Sequence, residues 1–357
     1  MNLKNRNLPH EVRVGNTVVG PGHPVFVIAE IGNNHNGSFE LGKKAVDAAH
    51  YAGADAVKLQ KRIPELVFTK EMLGRPQHHS QTLGRTYGEY RKAQELDDAD
   101  LVRLKEYAHS LGLVFFVTPF DLKSAEILDE IGMDAWKVAS FDLKNKELLE
   151  FLRTRKEPIF LSTGMSTLED IDTAVEIITE KNPNLIINHC VSIYPTPSED
   201  LNLGKLTVLM ERYAPLPVGY SGHEIGFVPT VAAIAMGATT VERHFTTDKT
   251  LPGPDHATVS LDPVEFRAMT DQIRIIERSI QDKAIRIHER EVPIMQKHGK
   301  SLVARVDIPR GTVITNEMVI AKSPGTGIKP TLIHTIIGRV TKVEVPEDTV
   351  LSEAHFT

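Results

Sequence analysis

The chain has 357 residues, 41% of them hydrophobic and 25% charged, which is enough apolar material for one large core and a small second domain. Its formal net charge of -6 supplies no general basic field, so nucleic acid is disfavoured as a partner and any anion site must come from local residues. A lone cysteine, Cys190, excludes an internal disulfide framework; no stretch approaches the roughly 18 uninterrupted apolar residues of a membrane span, and a cytoplasmic protein with no membrane partner is expected.

In chain order, Val12-Arg13-Val14, Gly15-Asn16 and Thr17-Val18-Val19 read as a hairpin with a two-residue turn ahead of the main fold. Eight short β-rich runs follow, at residues 25–31, 56–60, 114–120, 135–140, 158–163, 185–190, 217–221 and 239–245. Amphipathic helical patterns lie between them at 41–52, 97–111, 123–131, 145–154, 167–180 and 229–236, and a last helix is expected at 263–280. Repeated βα units of this number over about 260 residues fit a closed (β/α)8 TIM barrel better than an open doubly wound sheet. Gly53, Gly132 and Gly237, each just before a strand, read as helix C-terminal stops. The barrel domain with its hairpin is expected over 1–282, a charged linker over 283–299, and a small β-rich domain over 300–357.

Barrel active sites are built at the carboxyl ends of the strands, and every run here ends in reactive or hydrogen-bonding residues. They are Glu30; Lys58 with Gln60; Thr118; Lys137 with Ser140; Ser162 with Thr163; Asn188 with Ser192 and Tyr194; Tyr220 with Ser221 and His223; and Glu242 with His244. Lys58 and Lys137 stand inside apolar strands, where an ammonium group requires either a barrel carboxylate or a bound phosphate or carboxylate. His223 and His244 end consecutive strands and can share a borderline divalent ion such as Mn, Co, Fe or Zn, with Glu242 and Asp255 close by. The stiff turn Pro252-Gly253-Pro254-Asp255-His256 can aim Asp255 or His256 at the same place. Cys190, Phe115, Phe116 and Trp136 read as packing, and His78, His79, His288 and His298 as solvated surface.

The motifs Ala29-Glu30-Ile31-Gly32-Asn33-Asn34-His35-Asn36-Gly37, Val57-Lys58-Leu59-Gln60, Trp136-Lys137-Val138-Ala139-Ser140, Gly219-Tyr220-Ser221-Gly222-His223 and Val241-Glu242-Arg243-His244-Phe245 together resemble the sialic acid synthase (N-acetylneuraminate synthase) family. The tail, with Lys300-Ser301-Leu302-Val303-Ala304 and Pro309-Arg310-Gly311-Thr312, is similar to that family's antifreeze-like (SAF) domain. The resemblance implies a transferase that condenses phosphoenolpyruvate (PEP) with N-acetylmannosamine or a related sugar aldehyde. It implies a divalent cofactor, Mn first with Mg or Co as alternatives, on His223 and His244. PEP would lie on Lys58, Thr118, Lys137, Ser140, Ser162 and Ser221, with Ser192 where many members have an asparagine near the phosphate. Gln60, Tyr194 and Asp255 would face the sugar, and Glu30, Glu242 or Asp255 would serve as the base. A domain-swapped homodimer is implied as well, although Ser323 replaces the arginine that bacterial members present to a partner's sugar, and Asp142 replaces a glutamate. Two rivals remain. An ulosonate-phosphate synthase would need a second phosphate clamp, which the sequence does not display; a non-catalytic sugar-binding protein, suggested by the tail alone, would not need polar groups at every strand end.

Overall fold

The computed structural model describes residues 8–77, 83–253 and 255–357, so His78, His79 and Pro254 lie outside the described residues. Contacts divide the chain into two compact units, Met1–Gln281 and Asp282–Thr357. The first opens with the expected hairpin, β1 (Val12–Val14) against β2 (Thr17–Val19). Eight parallel strands follow: β3 (Phe26–Gly32), β4 (Ala56–Lys61), β5 (Val114–Pro119), β6 (Trp136–Val138), β7 (Ile159–Ser162), β8 (Leu185–Cys190), β9 (Val218–Gly222) and β10 (Thr240–His244). Their order is β5-β4-β3-β10-β9-β8-β7-β6, and the remaining seam is bridged where the Asp134 N–H donates to Phe115 O at 3.3 Å. A nearly closed TIM-like barrel results.

Alternation along these strands explains how so many apolar runs carry a polar site. Side chains two apart share a face of a strand, so odd and even positions separate into an outer and an inner set. Val27, Ala29 and Ile31 of β3 join the outer core under the helices. Phe26 and Ile28 point inward and meet Ala56, Val114, Phe116, Phe160 and Ile186, together with Val12, Val14 and Val19 of the hairpin. The same inward rows continue two residues on to Glu30, Lys58, Thr118, Ser162 and Asn188. At Gly219 the interior leaves no room for any side chain: a Cβ there would stand 1.8 Å from Thr240 Oγ1 and 2.4 Å from Asn188 Oδ1.

The helices fall close to the expected places because polar caps mark their starts. Asp97, Asp121, Thr167 and Asp262 each accept a backbone N–H in the first turn of their helices. Gly53, Gly132 and Gly237 end helices with φ of 82°, 77° and 109°, as their positions predict. Two longer helices escaped the pattern, Tyr87–Ala93 and Lys205–Tyr213. The first lies in the long insertion after β4, and the second begins at Gly204 with no side-chain cap.

In the second unit β11 (Ser301–Ala304) pairs antiparallel with β12 (Val319–Lys322), around a core that includes Leu302, Ile308, Ile314, Ile336, Val345 and Phe356. The other β-rich runs make only isolated bridges, such as Val313 to Val340 and Ile308 to Val345. Pro309, Pro324, Pro330 and Pro346 interrupt them, and proline donates no ladder hydrogen bond. Within the segment expected as linker, the helix Val292–His298 belongs to this unit, with the Gly325 N–H donating to Gln296 O at 2.8 Å. Ser323 Oγ donates to His298 O at 3.1 Å and accepts from Lys300 Nζ at 3.1 Å. Both bonds are exposed, so Ser323→Ala should lower the stability of this unit by no more than about 1 kcal/mol, measured by denaturant unfolding.

Candidate active site

The inward rows end at a cavity of about 350 Å³ at the carboxyl ends of the strands. Its floor is a four-membered charge cluster. Lys58 Nζ lies 2.6 Å from Glu30 Oε2 and 3.8 Å from Glu242 Oε1, and it donates to Thr118 Oγ1 at 2.9 Å. Lys137 Nζ donates to both oxygens of Glu242, at 2.8 and 3.0 Å, and Ser221 Oγ donates to Glu242 Oε1 at 3.1 Å. Both lysines therefore have barrel carboxylates as partners while still facing the cavity.

The two carboxylates differ. Burial would push the Glu242 carboxyl up, but the ammonium groups of Lys137 and Lys58 hold it down at about 2, so it stays ionised. Glu30 is raised, because burial and the Glu242 charge outweigh the pull of Lys58. Gln60 Nε2 donates to Glu30 Oε1 at 2.7 Å, while Gln60 Oε1 accepts from Arg62.

On another wall the rings of His223 and His244 stand with centroids 5.3 Å apart, and the Tyr194 ring lies 4.0 Å from His223. His223 Nδ1 is 2.9 Å from Val191 O. Since a carbonyl only accepts, Nδ1 carries a proton, and in the neutral ring Nε2 is the nitrogen with the lone pair. His244 Nδ1 is buried with no hydrogen-bond partner among the described residues and lies 4.0 Å from Asp255 Oδ2. Burial and the neighbouring charges of His223 and Lys58 push the His244 imidazole well below its ordinary value, toward the neutral form that binds metals. Burial raises Asp255, opposed by Arg91, His223 and Arg62.

Ser140 and Ser162 complete the lysine side. Ser162 Oγ is buried and unpartnered, and Ser140 Oγ accepts the Gly164 N–H at 3.0 Å. Ser192 Oγ is also unpartnered, and a Cβ built on Gly164 would lie 2.3 Å from it and 2.7 Å from Ser140 Oγ. Ser192 itself lines an adjoining cavity, sharing the Cys190 wall, rather than the main one. Cys190 is buried as expected, yet it lines the site, with Sγ 3.9 Å from His223 Nδ1.

Two residues of the strand-end motifs face elsewhere. Tyr220 points outward into the helix-facing core, and its OH donates to Glu224 Oε2 at 2.9 Å. His256 is buried against Thr246, Nδ1 to Oγ1 2.6 Å, so among the described residues of the stiff turn Asp255 alone reaches the cavity. Sequence reasoning missed Arg62, Arg91, Phe120 and Phe141, which also line it. Arg62 follows Gln60 by two, and that spacing was the available signal; Arg91 lies on a helix the pattern did not show.

Comparison with known proteins settles the lineage. The family model described as NeuB matches residues 45–284, and the SAF domain model matches 299–357. The chain belongs to the NeuB family. Human N-acetylneuraminate-9-phosphate synthase is 35% identical over 336 residues, covering 94% of this chain and 93% of that protein. The N,N'-diacetyllegionaminic acid synthase of Legionella pneumophila is 35% identical over 337 residues, 93% of this chain and 94% of its own. Among solved structures, the N-acetylneuraminic acid (sialic acid) synthetase of Leptospira borgpetersenii, with citrate, superposes with a TM-score of 0.72 at 31% identity, covering 81% of this chain and 96% of that one. The chain is thus a PEP-dependent enzyme of the sialic acid synthase type, as its motifs implied.

In this NeuB chain the donor set suits a metal that draws only two ligands from the protein. Among the described residues no three His, Cys, Asp or Glu side chains form a ready cluster. His244 Nδ1, with no partner among the described residues, and His223 Nε2 nevertheless offer two ring nitrogens at one place, which fits a divalent ion completed by water or ligand oxygens. Behind them, a buried pair ties the two strand ends together. Arg243 NH1 donates to Glu224 Oε1 at 2.9 Å and to Thr230 Oγ1 at 2.8 Å, and NH2 donates to Glu224 O at 2.6 Å. Arg243 precedes His244, and Glu224 follows His223.

Proposed function

We propose that the chain joins PEP to the aldehyde of an N-acylated hexosamine, giving a nonulosonic acid and inorganic phosphate. The observation that carries this reading is the Lys58–Glu242–Lys137 cluster beneath the Ser140, Ser162 and Ser221 hydroxyls, opening directly toward His223 and His244. An anion entering beside Ser162 meets two ammonium groups and an unpartnered hydroxyl, the makings of a phosphate cradle. Gln60, Tyr194 and Asp255 line the remaining wall and would receive the sugar hydroxyls.

In the reaction the enol carbon of PEP bonds to the aldehyde carbon, water adds at C2, and the C2–O bond to phosphate breaks, leaving a ketone. His223 and His244 would hold a divalent ion of the manganese type, which when bound supplies Lewis-acid polarisation of a carbonyl oxygen. The chain's own groups divide the rest. Glu242, held ionised by its lysines, is a counter-ion; Glu30, raised by burial, suits the base that takes the proton from water. Asp255, raised by burial, lines the same cavity and would bind a sugar hydroxyl. A homodimer in which each SAF domain covers the partner's barrel, and a cytoplasmic setting, belong to the same proposal; sedimentation and cell fractionation test them.

Phosphate release from PEP, measured with Mn and a panel of acceptors, tests the function. N-acetylmannosamine, its 6-phosphate, a 2,4-diacylamino hexose, an unacylated hexose and an unaminated aldose phosphate make up the panel. Release with a hexosamine supports the reading. Release only with an unaminated aldose phosphate would favour an ulosonate-phosphate synthase, and none at all a sugar-binding protein. Lys137→Met removes one cradle cation and should lower kcat/KM for PEP by about 10²-fold, chiefly through KM. An unchanged KM for PEP would count against the cradle.

A further inference from the structure

Among the described residues, the lysines and arginines around the cavity have carboxylate partners except Arg91. Lys58 meets Glu30, Lys137 meets Glu242, and Arg62 Nε stands 3.4 Å from Glu95 Oε1 while NH2 donates to Asn33 Oδ1 at 2.8 Å. Arg91 lines the same cavity and has no ion pair among the described residues. Its Nε donates to Tyr87 OH at 2.9 Å, and the guanidinium lies over the rings of Tyr87 and Tyr90, with centroids 5.1 and 5.6 Å away. The stacking fixes the plane of the group and leaves its two terminal amino groups without a described partner. Such a fork matches the two oxygens of a phosphate or carboxylate.

Which end of the cavity the fork serves follows from its neighbours. Arg91 stands on the Tyr87–Ala93 helix of the insertion that follows β4, so it enters the cavity at the wall beyond Gln60, while the lysine cluster forms the floor. Arg62 borders this wall too, its guanidinium 4.2 Å from the Phe120 ring. The acceptor end thus carries two guanidinium groups, of which Arg91 has no ion pair among the described residues. A neutral sugar would leave the Arg91 fork unanswered, whereas an aldose made anionic in its usual way, as a phosphate monoester on a hydroxyl remote from the aldehyde, would fill it.

We propose that Arg91 is an acceptor-side anion contact that selects a phosphorylated hexosamine as the sugar substrate. The inference rests on the reading that PEP occupies the lysine end. Steady-state kinetics with N-acetylmannosamine and its 6-phosphate, for the parent, Arg91→Met and Arg91→Lys, provide the test. The parent should prefer the phosphorylated sugar, Arg91→Met should lower the phosphorylated-to-neutral ratio of kcat/KM by roughly 10 to 10²-fold, and Arg91→Lys should restore part of it. A parent without that preference would overturn the proposal. So would an Arg91→Met variant that keeps the ratio and loses affinity for PEP instead. If neither sugar supports phosphate release, the functional reading fails by itself, and calorimetric titration of the 6-phosphate decides the contact separately. Binding by the parent that is lost in Arg91→Met supports it; equal binding, or none, overturns it.

Discussion

Alanine at either His223 or His244 should lower turnover by on the order of 10³-fold or more, while the far-ultraviolet dichroism of the barrel is retained. Lewis-acid stabilisation by a bound ion is worth several kcal/mol, and each factor of ten in rate corresponds to about 1.4 kcal/mol. Both rings stand at the cavity rather than in the apolar interior of the barrel, so their removal does not breach the packing of Phe26, Phe116 and Phe160. Manganese binding, followed by the paramagnetic signal of the free ion, should fall in parallel with activity in both variants. Unimpaired turnover in either variant, or in protein freed of metal by a chelator, would contradict the assignment.

The second large effect lies behind those rings. Arg243 is fully buried, and Glu224 is 2% exposed, so Arg243→Met would leave a carboxylate in the interior without its counter-charge. Breaking a buried pair from one side lowers stability by about 3–5 kcal/mol. The double variant Arg243→Met, Glu224→Gln should regain a good part of that, because the two sites act as one unit. Both variants should also bind manganese about 10 to 100-fold more weakly, since the groups that orient metal-binding histidines set their spacing. Losses that simply add in the double variant, with manganese affinity unchanged, would show that the pair neither couples nor positions the histidines.

The sequence revealed the barrel because each strand and helix obeys its own period and the helices carry local caps at Asp97, Thr167 and Asp262. Lys58, Lys137, His223 and His244 were legible for a related reason: a charged or metal-binding group within an apolar strand has few structural explanations. Pairings across the barrel were not legible. That Lys137 reaches Glu242 depends on which rows face inward, a property of closure that no local pattern encodes. The aim of Arg91 was hidden for the same reason, because its helix belongs to an insertion whose direction only the folded barrel fixes. In the SAF domain, proline-broken runs resembled strands in composition, yet only β11 and β12 formed a ladder.

The hairpin that joins Val12, Val14 and Val19 to the innermost apolar rows stops the barrel at one end. A well with a stopped end has one door, and traffic through one door has an order. Lys58 precedes Gln60 by two residues on β4, so with tilted barrel strands the phosphate cradle lies roughly 5 Å deeper than the sugar wall. On the proposed reading PEP enters first and the sugar closes over it. The phosphate set free at the bottom then departs only after the new, longer sugar acid has cleared the way.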